Sequence, residues 1–288
     1  MTVKIITDSG SDLPRELLEK HDIEVIPLLI ELDGQELVDG RDITPEQVYA
    51  AIRAGKVPRT NQAPASIFKQ VFAKFIELGR SCLYLAFSSR LSGTCQTGAL
   101  VAQQLNEKSA AGSVRVVDTL CGSLGQGLVV LEAAKMAEKG CPREEIVERV
   151  QRLSPGMEHI FTVDDLEYLY RGGRVSRASA LVGSLLNIKP LLHVKDGLMV
   201  PIEKVRGKNK ALKRIIGIME ERCTPDTGAT IAISHADDPE AAAKLKELVE
   251  ERFGFKDIVV NIVGSVLGCH IGLGGVAVFF PNLSVAPA

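Results

Sequence analysis

Cys82-Leu83-Tyr84-Leu85-Ala86-Phe87-Ser88-Ser89-Arg90-Leu91-Ser92-Gly93-Thr94 joins an apolar run to a cluster of hydroxyl side chains and a glycine. The first six residues predict a buried strand, and Gly93 to Asn106 predicts the helix that follows it. Where a buried strand gives way to a helix, the free N–H groups of the first turn and nearby hydroxyls converge on one point, which suits an anion. Ser92 therefore caps the helix or binds a ligand, and this stretch alone favours the cap.

The same alternation of strand and helix continues on both sides of this stretch. Val3 to Thr7 and Val114 to Val117 predict further strands, while Ala65 to Leu78 and Gly125 to Lys139 predict helices. Strands that alternate with helices of this length are typical of βαβ units and of a mostly parallel sheet. In such sheets, ligands bind at the carboxyl ends of the strands.

Ser154-Pro155-Gly156 is the best candidate for a linker. It follows a predicted helix from Pro142 to Leu153, and a predicted strand from His159 to Val163 begins a new unit. The alternation then resumes, with a predicted helix from Ser179 to Leu186 and two strands joined by a turn at Lys195-Asp196-Gly197.

A chain of 288 residues is long enough for two domains. We therefore predict an α/β fold of two α/β domains, residues 1–154 and 155–288, the first with a mostly parallel sheet.

Composition narrows the possible partners. The 34 basic and 36 acidic residues give a net charge of -2, which predicts no attraction to nucleic acid. We expect a cytoplasmic protein without a membrane span, because Ile23 to Ile30 is short and contains Glu24, and no signal peptide is evident. The six cysteines form no C-x-x-C pair or zinc spacing, so we predict reduced thiols and no metal. An interior with few aromatics suits an aliphatic ligand, although an ordinary core has the same composition.

Four further segments group small, polar and glycine residues beside apolar runs: Thr7 to Pro14, Thr60 to Ser66, Tyr170 to Arg174 and Gly268 to Gly274. With Ser88 to Thr94, and in this order, they resemble the motifs of the DegV family over almost the whole chain. The resemblance implies that the protein binds a long-chain fatty acid between its domains and that it presents this ligand to a fatty acid kinase, as some members do. Asn61, Ala63, Cys95 and Leu273 depart from the usual pattern of the family.

The resemblance implies that Thr60, Ser92, Gly93 and His270 bind the fatty acid carboxylate. The residues alone leave the role of Thr60 open between capping a helix and binding a ligand, and a lone histidine is more often structural. Glycines at positions 272, 274 and 275 predict a loop around His270 whose backbone suits an anion. Cys95, one helical turn after Ser92, is expected to line the tunnel.

Three arginines are assigned to partner docking or to a secondary role. Arg171 and Arg174 bracket two glycines, which lets both guanidinium groups face one side. Arg206 belongs to a basic run from Lys204 to Arg214. The alternative is that Arg171 and Arg174 lie on an exposed turn and that Arg206 lies on a solvated face.

The sequence thus predicts a non-enzymatic carrier that holds a palmitate-like fatty acid without a covalent bond, cofactor or catalytic residue. The alternative is a small-molecule hydrolase or kinase that uses Ser92 as nucleophile and His270 as base. The Gly-x-Ser-x-Gly and Walker A motifs are absent from the sequence. A scaffold without any small ligand is a third possibility.

Overall fold

The computed structural model describes residues 3–109, 112–176, 187–223 and 229–282, and the predicted helix from Ser179 to Leu186 lies outside these ranges. The described strands are β1 (Lys4–Asp8), β2 (Glu24–Ile26), β3 (Leu29–Leu32), β4 (Gln35–Val38), β5 (Arg59–Asn61), β6 (Ser81–Ala86), β7 (Ser113–Asp118), β8 (Met157–Thr162), β9 (Ile188–Lys195), β10 (Leu198–Arg206), β11 (Ile231–His235), β12 (Ile258–Ile262) and β13 (Val276–Pro281).

The described α-helices are α1 (Arg15–Lys20), α2 (Pro45–Arg53), α3 (Ala65–Glu77), α4 (Thr94–Asn106), α5 (Ser123–Glu138), α6 (Arg143–Leu153), α7 (Glu167–Arg171), α8 (Lys208–Arg222), α9 (Pro239–Phe253) and α10 (Ser265–Ile271). None of the helices in the described ranges is long and apolar enough to span a membrane.

The first sheet has the strand order β2-β1-β6-β7, and every neighbouring pair is parallel. All five residues of β1 are buried, as expected for a parallel strand that is covered on both faces. Phe68 and Phe72 of α3 pack on Tyr84 of β6 with ring centroids 5.5 and 5.9 Å apart. The prediction of a parallel sheet in the first half is confirmed.

A small antiparallel sheet, β4-β3-β5, lies beside the first one. The apolar run from Ile23 to Leu32 does not form a single strand, because it is interrupted at Pro27 and Leu28 and enters two different sheets as β2 and β3. Proline has no N–H to donate to a sheet, so a strand tends to end there. Strand β5, which the sequence analysis did not predict, places Thr60 opposite Ile30.

The third sheet has the order β10-β9-β8-β13-β11-β12. In this sheet β11 and β12 pair in parallel, and every other pair of neighbouring strands is antiparallel. Helices α8 and α9 cover one face, while α5 of the first half contacts strands on the other face. The third sheet is therefore joined to the first half through a shared apolar core.

The domain boundary between residues 154 and 155 stays a prediction. The strands before it lie in the first two sheets and the strands after it in the third. However, α10 from the second half packs against α2, β3 and β5. Helix α10 therefore belongs to the second half by sequence but packs against elements of the first half.

Candidate functional site

An apolar cavity lies between the first half and the third sheet, and we call it the tail cavity. Its walls come from the loop after β6, from α10, from the third sheet and from the β9–β10 hairpin. They include Phe87, Leu267, Phe161, Phe279 and Met199. An apolar cavity of this kind accommodates an aliphatic chain.

A second cavity, the neck, adjoins the tail cavity, and the two share lining residues. The shared residues are Phe87, Leu91, Met199, Leu267 and Ile271. The neck adds the polar residues Thr60, Gln62, Ser92, Arg174 and His270. An apolar interior therefore ends at a ring of hydrogen-bonding groups.

A third cavity of about 400 Å³, the outer cavity, shares Thr60, Arg174 and His270 with the neck. Arg171 and Tyr168 also line it. The three cavities thus adjoin one another in the order tail cavity, neck and outer cavity, from an apolar lining to a polar and then a basic one.

Thr60 of β5 and His270 of α10 meet in the neck, with 2.8 Å between Oγ1 and Nε2. The predicted loop around His270 is wrong, because His270 lies in the last turn of α10 and the loop begins only at Gly272. Helix α10 forms because Val266, Leu267 and Ile271 bury one apolar face, while Gly268 lets the helix approach Tyr49 closely.

Burial and the nearby charge of Arg174 lower the pKa of His270 to about 4. The imidazole is therefore neutral at neutral pH. A protonated imidazole is the form that would pair with a carboxylate by charge. Its Nδ1 faces Gly172, where a Cβ atom would lie 2.2 Å away. Only a residue without a side chain leaves room for the ring in this position.

Ser92 and Gly93 stand where β6 gives way to α4. Ser92 Oγ lies 2.8 Å from Thr94 Oγ1 and accepts a hydrogen bond from the Thr94 N–H, so Ser92 supports the helix start while it lines the neck. Gly93 is absent from the neck lining. A Cβ at Gly93 would lie 2.0 Å from Gln62 Oε1, so this glycine makes room for the amide of Gln62.

The three predicted arginines do not form one group. Arg174 is partly buried in the neck, where it donates to the carbonyl oxygens of Leu91 and Gly172, and burial lowers its pKa. Arg171 lies over the Tyr168 ring in the outer cavity, 4.8 Å from its centroid. Arg206 ends β10, opposite Ile188, and lines none of the three cavities.

The walls of the tail cavity are the part of the site that the sequence analysis missed. Phe161 and Phe279 lie on strands that are buried on both faces, so their apolar runs predict buried strands but not which face lines a cavity. Cys95 was expected in the tunnel, yet it is buried and lines none of the three cavities. It packs at the start of α4, away from the neck.

Comparisons with known proteins agree on one family. The family model described as "Uncharacterised protein, DegV family" matches residues 2–282. A DegV domain-containing protein of Clostridium perfringens is 39% identical over 279 residues, which cover 96% of this chain and 96% of that protein.

Solved structures resemble the whole chain. A DegV family protein from Thermus thermophilus, whose structure is described as one of fatty acid binding, has a TM-score of 0.88 and 32% identity, covering 98% of this chain and 100% of that chain. A DegV lipid binding protein from Thermotoga maritima has a TM-score of 0.86 and 33% identity, covering 98% and 99%. DegV of Bacillus subtilis, described as a fatty acid binding protein, has a TM-score of 0.83 and 29% identity, covering 97% and 98%.

Proposed function

The chain belongs to the DegV family, and from this we propose that it binds one long-chain, palmitate-like fatty acid without forming a covalent bond. The observation that carries the proposal is the position of an apolar tail cavity directly beside a polar neck, with five lining residues in common. The descriptions of solved relatives at 29 to 33% identity as fatty-acid-binding or lipid-binding support it independently.

The tail supplies most of the binding free energy. Burying about fourteen methylenes at about 0.8 kcal/mol each contributes on the order of 11 kcal/mol before the losses of ordering the ligand. Each hydrogen bond to a charged head group adds about 1.5 to 3 kcal/mol. The tail cavity therefore sets the affinity, and the neck sets which end of the ligand points outward.

We assign the carboxylate to the neck, beside Thr60, Ser92 and His270. A buried carboxylate needs both hydrogen-bond donors and a compensating charge. The Ser92 hydroxyl supplies one donor, and the pair of Thr60 and neutral His270 supplies one more, because the hydrogen bond between Thr60 Oγ1 and His270 Nε2 uses one of their two protons. Arg174 supplies the positive charge, because its guanidinium stays protonated even when partly buried.

Hydrolysis with Ser92 as nucleophile is disfavoured by the hydrogen bonds of the neck. A serine nucleophile needs its base within hydrogen-bond reach. Ser92 Oγ pairs instead with Thr94, and His270 Nε2 pairs with Thr60. Incubation with a long-chain p-nitrophenyl ester discriminates the two functions, since a carrier releases no p-nitrophenol.

Presentation of the bound carboxylate to a fatty acid kinase is the finer part of the proposal. The basic outer cavity adjoins the neck at Thr60, Arg174 and His270, and we infer that a partner approaches the head group through it. This role suits the predicted cytoplasmic location, where nucleoside triphosphates are available. Mixing the loaded protein with a fatty acid kinase and ATP tests this part, and Arg206→Glu tests whether β10 belongs to the docking surface.

Organic extraction of the purified protein, followed by mass spectrometry, tests the binding function. We expect about one long-chain fatty acid per chain, and delipidated protein should take up added palmitate. An extract without acyl lipid, from a protein that also fails to bind palmitate, would rule the carrier out.

A further inference from the structure

Five described residues line both the tail cavity and the neck, and Phe87 is the aromatic one among them. The other four are Leu91, Met199, Leu267 and Ile271. In the proposed function, the carboxylate lies in the neck and the far end of the chain lies in the tail cavity. The carbons next to the carboxylate therefore pass these five side chains.

Two glycines lie behind one edge of the Phe87 ring. A Cβ atom on Gly10 would lie 2.9 Å from Phe87 Cδ2, and a Cβ atom on Gly122 would lie 2.5 Å from Phe87 Cε2. Both distances are shorter than van der Waals contact between carbon atoms. The ring fits against these two backbone segments because neither residue has a side chain, so it cannot withdraw in that direction.

The backbone of Phe87 is also held in place, by the buried carboxylate of Asp8. This carboxylate accepts hydrogen bonds from the Phe87 N–H over 2.8 Å and from the Gly10 N–H over 3.1 Å. The Tyr84 hydroxyl and the Gln126 side-chain amide donate to it as well. One buried group thus holds both the residue that carries the ring and one of the two segments behind it.

The other walls shared by the two cavities leave little room for a wider ligand. Leu91, Leu267 and Ile271 are buried, and Met199 is half-buried. Protein interiors are packed so closely that even one added methylene displaces its neighbours. A ligand that is wider near its head group must therefore displace these side chains, because Phe87 cannot move away.

We propose that Phe87 is a specificity-determining residue, which restricts the ligand to fatty acids without a branch on the carbons next to the carboxylate. This inference rests on the proposed function, which places those carbons beside the ring. One methylene changes binding in a hydrophobic pocket by about 10- to 200-fold. A branch at the far end of the chain does not reach Phe87, so the position of the branch is what the residue selects.

Three fatty acids test the proposal by calorimetry on delipidated protein: palmitate, 3-methylhexadecanoate and 14-methylpentadecanoate. We expect wild-type protein to bind 3-methylhexadecanoate at least about tenfold more weakly than palmitate. Phe87→Leu removes the Cε and Cζ atoms of the ring and should reduce this difference to less than about threefold. The affinity ratio of 14-methylpentadecanoate to palmitate, whose branch is distal, should be the same in both proteins.

Phe279→Leu is the matched control, because Phe279 lines the tail cavity but not the neck. The same substitution there should weaken palmitate and 3-methylhexadecanoate alike and leave the difference between them unchanged. Equal loss of discrimination in Phe87→Leu and Phe279→Leu would overturn the proposal, because any loss of wall volume would then have the same effect.

Gly122→Ala tests the same ring from behind. The backbone of Gly122 is extended, with φ -154° and ψ 172°, so alanine fits the conformation and its methyl group meets Phe87 Cε2. The displaced ring should weaken palmitate binding by about tenfold. Adding Phe87→Leu removes the atom that the methyl group contacts and should restore most of the affinity, which a general loss of structure would not allow. Palmitate binding at wild-type strength in Gly122→Ala would contradict the proposal.

The outcomes separate this inference from the proposed function. Wild-type protein that binds palmitate and 3-methylhexadecanoate equally well refutes the inference alone, as does discrimination that persists in folded Phe87→Leu. Protein that binds none of the three acids refutes the proposed carrier and the inference with it. If Phe87→Leu does not fold, Phe87→Met, whose longer side chain keeps more of the buried contact, provides the same comparison.

Discussion

At the scale of single residues, the neck contains one charged side chain and one neutral, titratable side chain. Burial makes the imidazole of His270 neutral, with a pKa of about 4, while the guanidinium of Arg174 remains charged despite its lowered pKa. The difference is intrinsic, because arginine starts from a far higher pKa than histidine. A ligand carboxylate therefore meets a permanent cation and a neutral hydrogen-bonding ring.

Two hydroxyl groups of the neck give the first prediction. Thr60→Val and Ser92→Ala should each weaken palmitate binding by about tenfold, since each removes one hydrogen bond to a charged group. Isothermal titration calorimetry of delipidated variants measures this. Ser89→Ala removes a nearby hydroxyl that lines none of the cavities, so it should bind like wild type. If both neck variants also bind like wild type, the carboxylate lies elsewhere.

Protonation of His270 gives the second prediction. Since its pKa is about 4, palmitate binding between pH 6 and 8 should take up almost no proton, and the affinity should stay nearly constant. Calorimetry in buffers with different ionisation enthalpies measures the protons exchanged. An uptake of about one proton per palmitate at pH 6 would show that the ligand converts His270 to a cation.

At the scale of elements, the end of α7 determines where the His270 ring of α10 can lie. Two consecutive glycines there have different roles. Gly172 has a right-handed backbone conformation, with φ -70°, which any residue can adopt. Glycine is required there only because His270 occupies the space that a side chain would fill. Gly173 has φ +72° with open space around it, so it is required by its backbone conformation.

This contrast gives the third prediction. Gly172→Ala should displace the imidazole from Thr60, which weakens palmitate binding and lowers the unfolding free energy by about 1 kcal/mol through the lost hydrogen bond. Gly173→Ala should lower the unfolding free energy by about 1 kcal/mol and spare palmitate binding. Thermal unfolding and palmitate titration of both variants measure the two effects. The opposite pattern, or identical behaviour, would contradict the assigned roles.

At the scale of the whole molecule, a buried acid lies where the two halves meet. Ser123 Oγ donates to Asp12 Oδ2 over 2.6 Å, and Asn261 Nδ2 donates to the Asp12 carbonyl oxygen. Burial raises the pKa of Asp12 to about 8. The folded protein thus keeps a proton on Asp12 at pH values where the unfolded chain has lost it.

The fourth prediction follows from this raised pKa. The stability contributed by protonated Asp12 is complete below pH 4 and is lost as the pH rises through about 8. Asp12→Asn should therefore reduce the fall in Tm between pH 6.5 and 8.5, and asparagine also tolerates the positive φ of this position. Differential scanning calorimetry measures the slope. The lowered pKa values of His159 and His270 act in the opposite direction, but only below about pH 6.5. An unchanged slope in the variant would show that Asp12 is ionised in the folded protein.

Local patterns predicted the elements whose formation depends on neighbours along the chain. The runs at β1 and β6 predicted buried parallel strands, and the hydroxyl cluster after β6 predicted the start of α4. Local patterns failed where a contact with a distant part of the chain determines whether an element forms. Strand β5 is three residues long and forms by pairing with β3, and α10 forms by burying its apolar face against the first half.

The sequence by itself determined which chemical groups are available: hydroxyls at Thr60 and Ser92, an imidazole at His270, and arginines around two glycines. Only the tertiary structure decided which of them meet. Thr60 and His270 are 210 residues apart and touch because α10 packs on β5, while Arg206, at the end of β10, lines none of the three cavities. Burial is a property of the assembled core, so the neutral state of His270 and the shape of the tail cavity follow from packing and not from any local pattern.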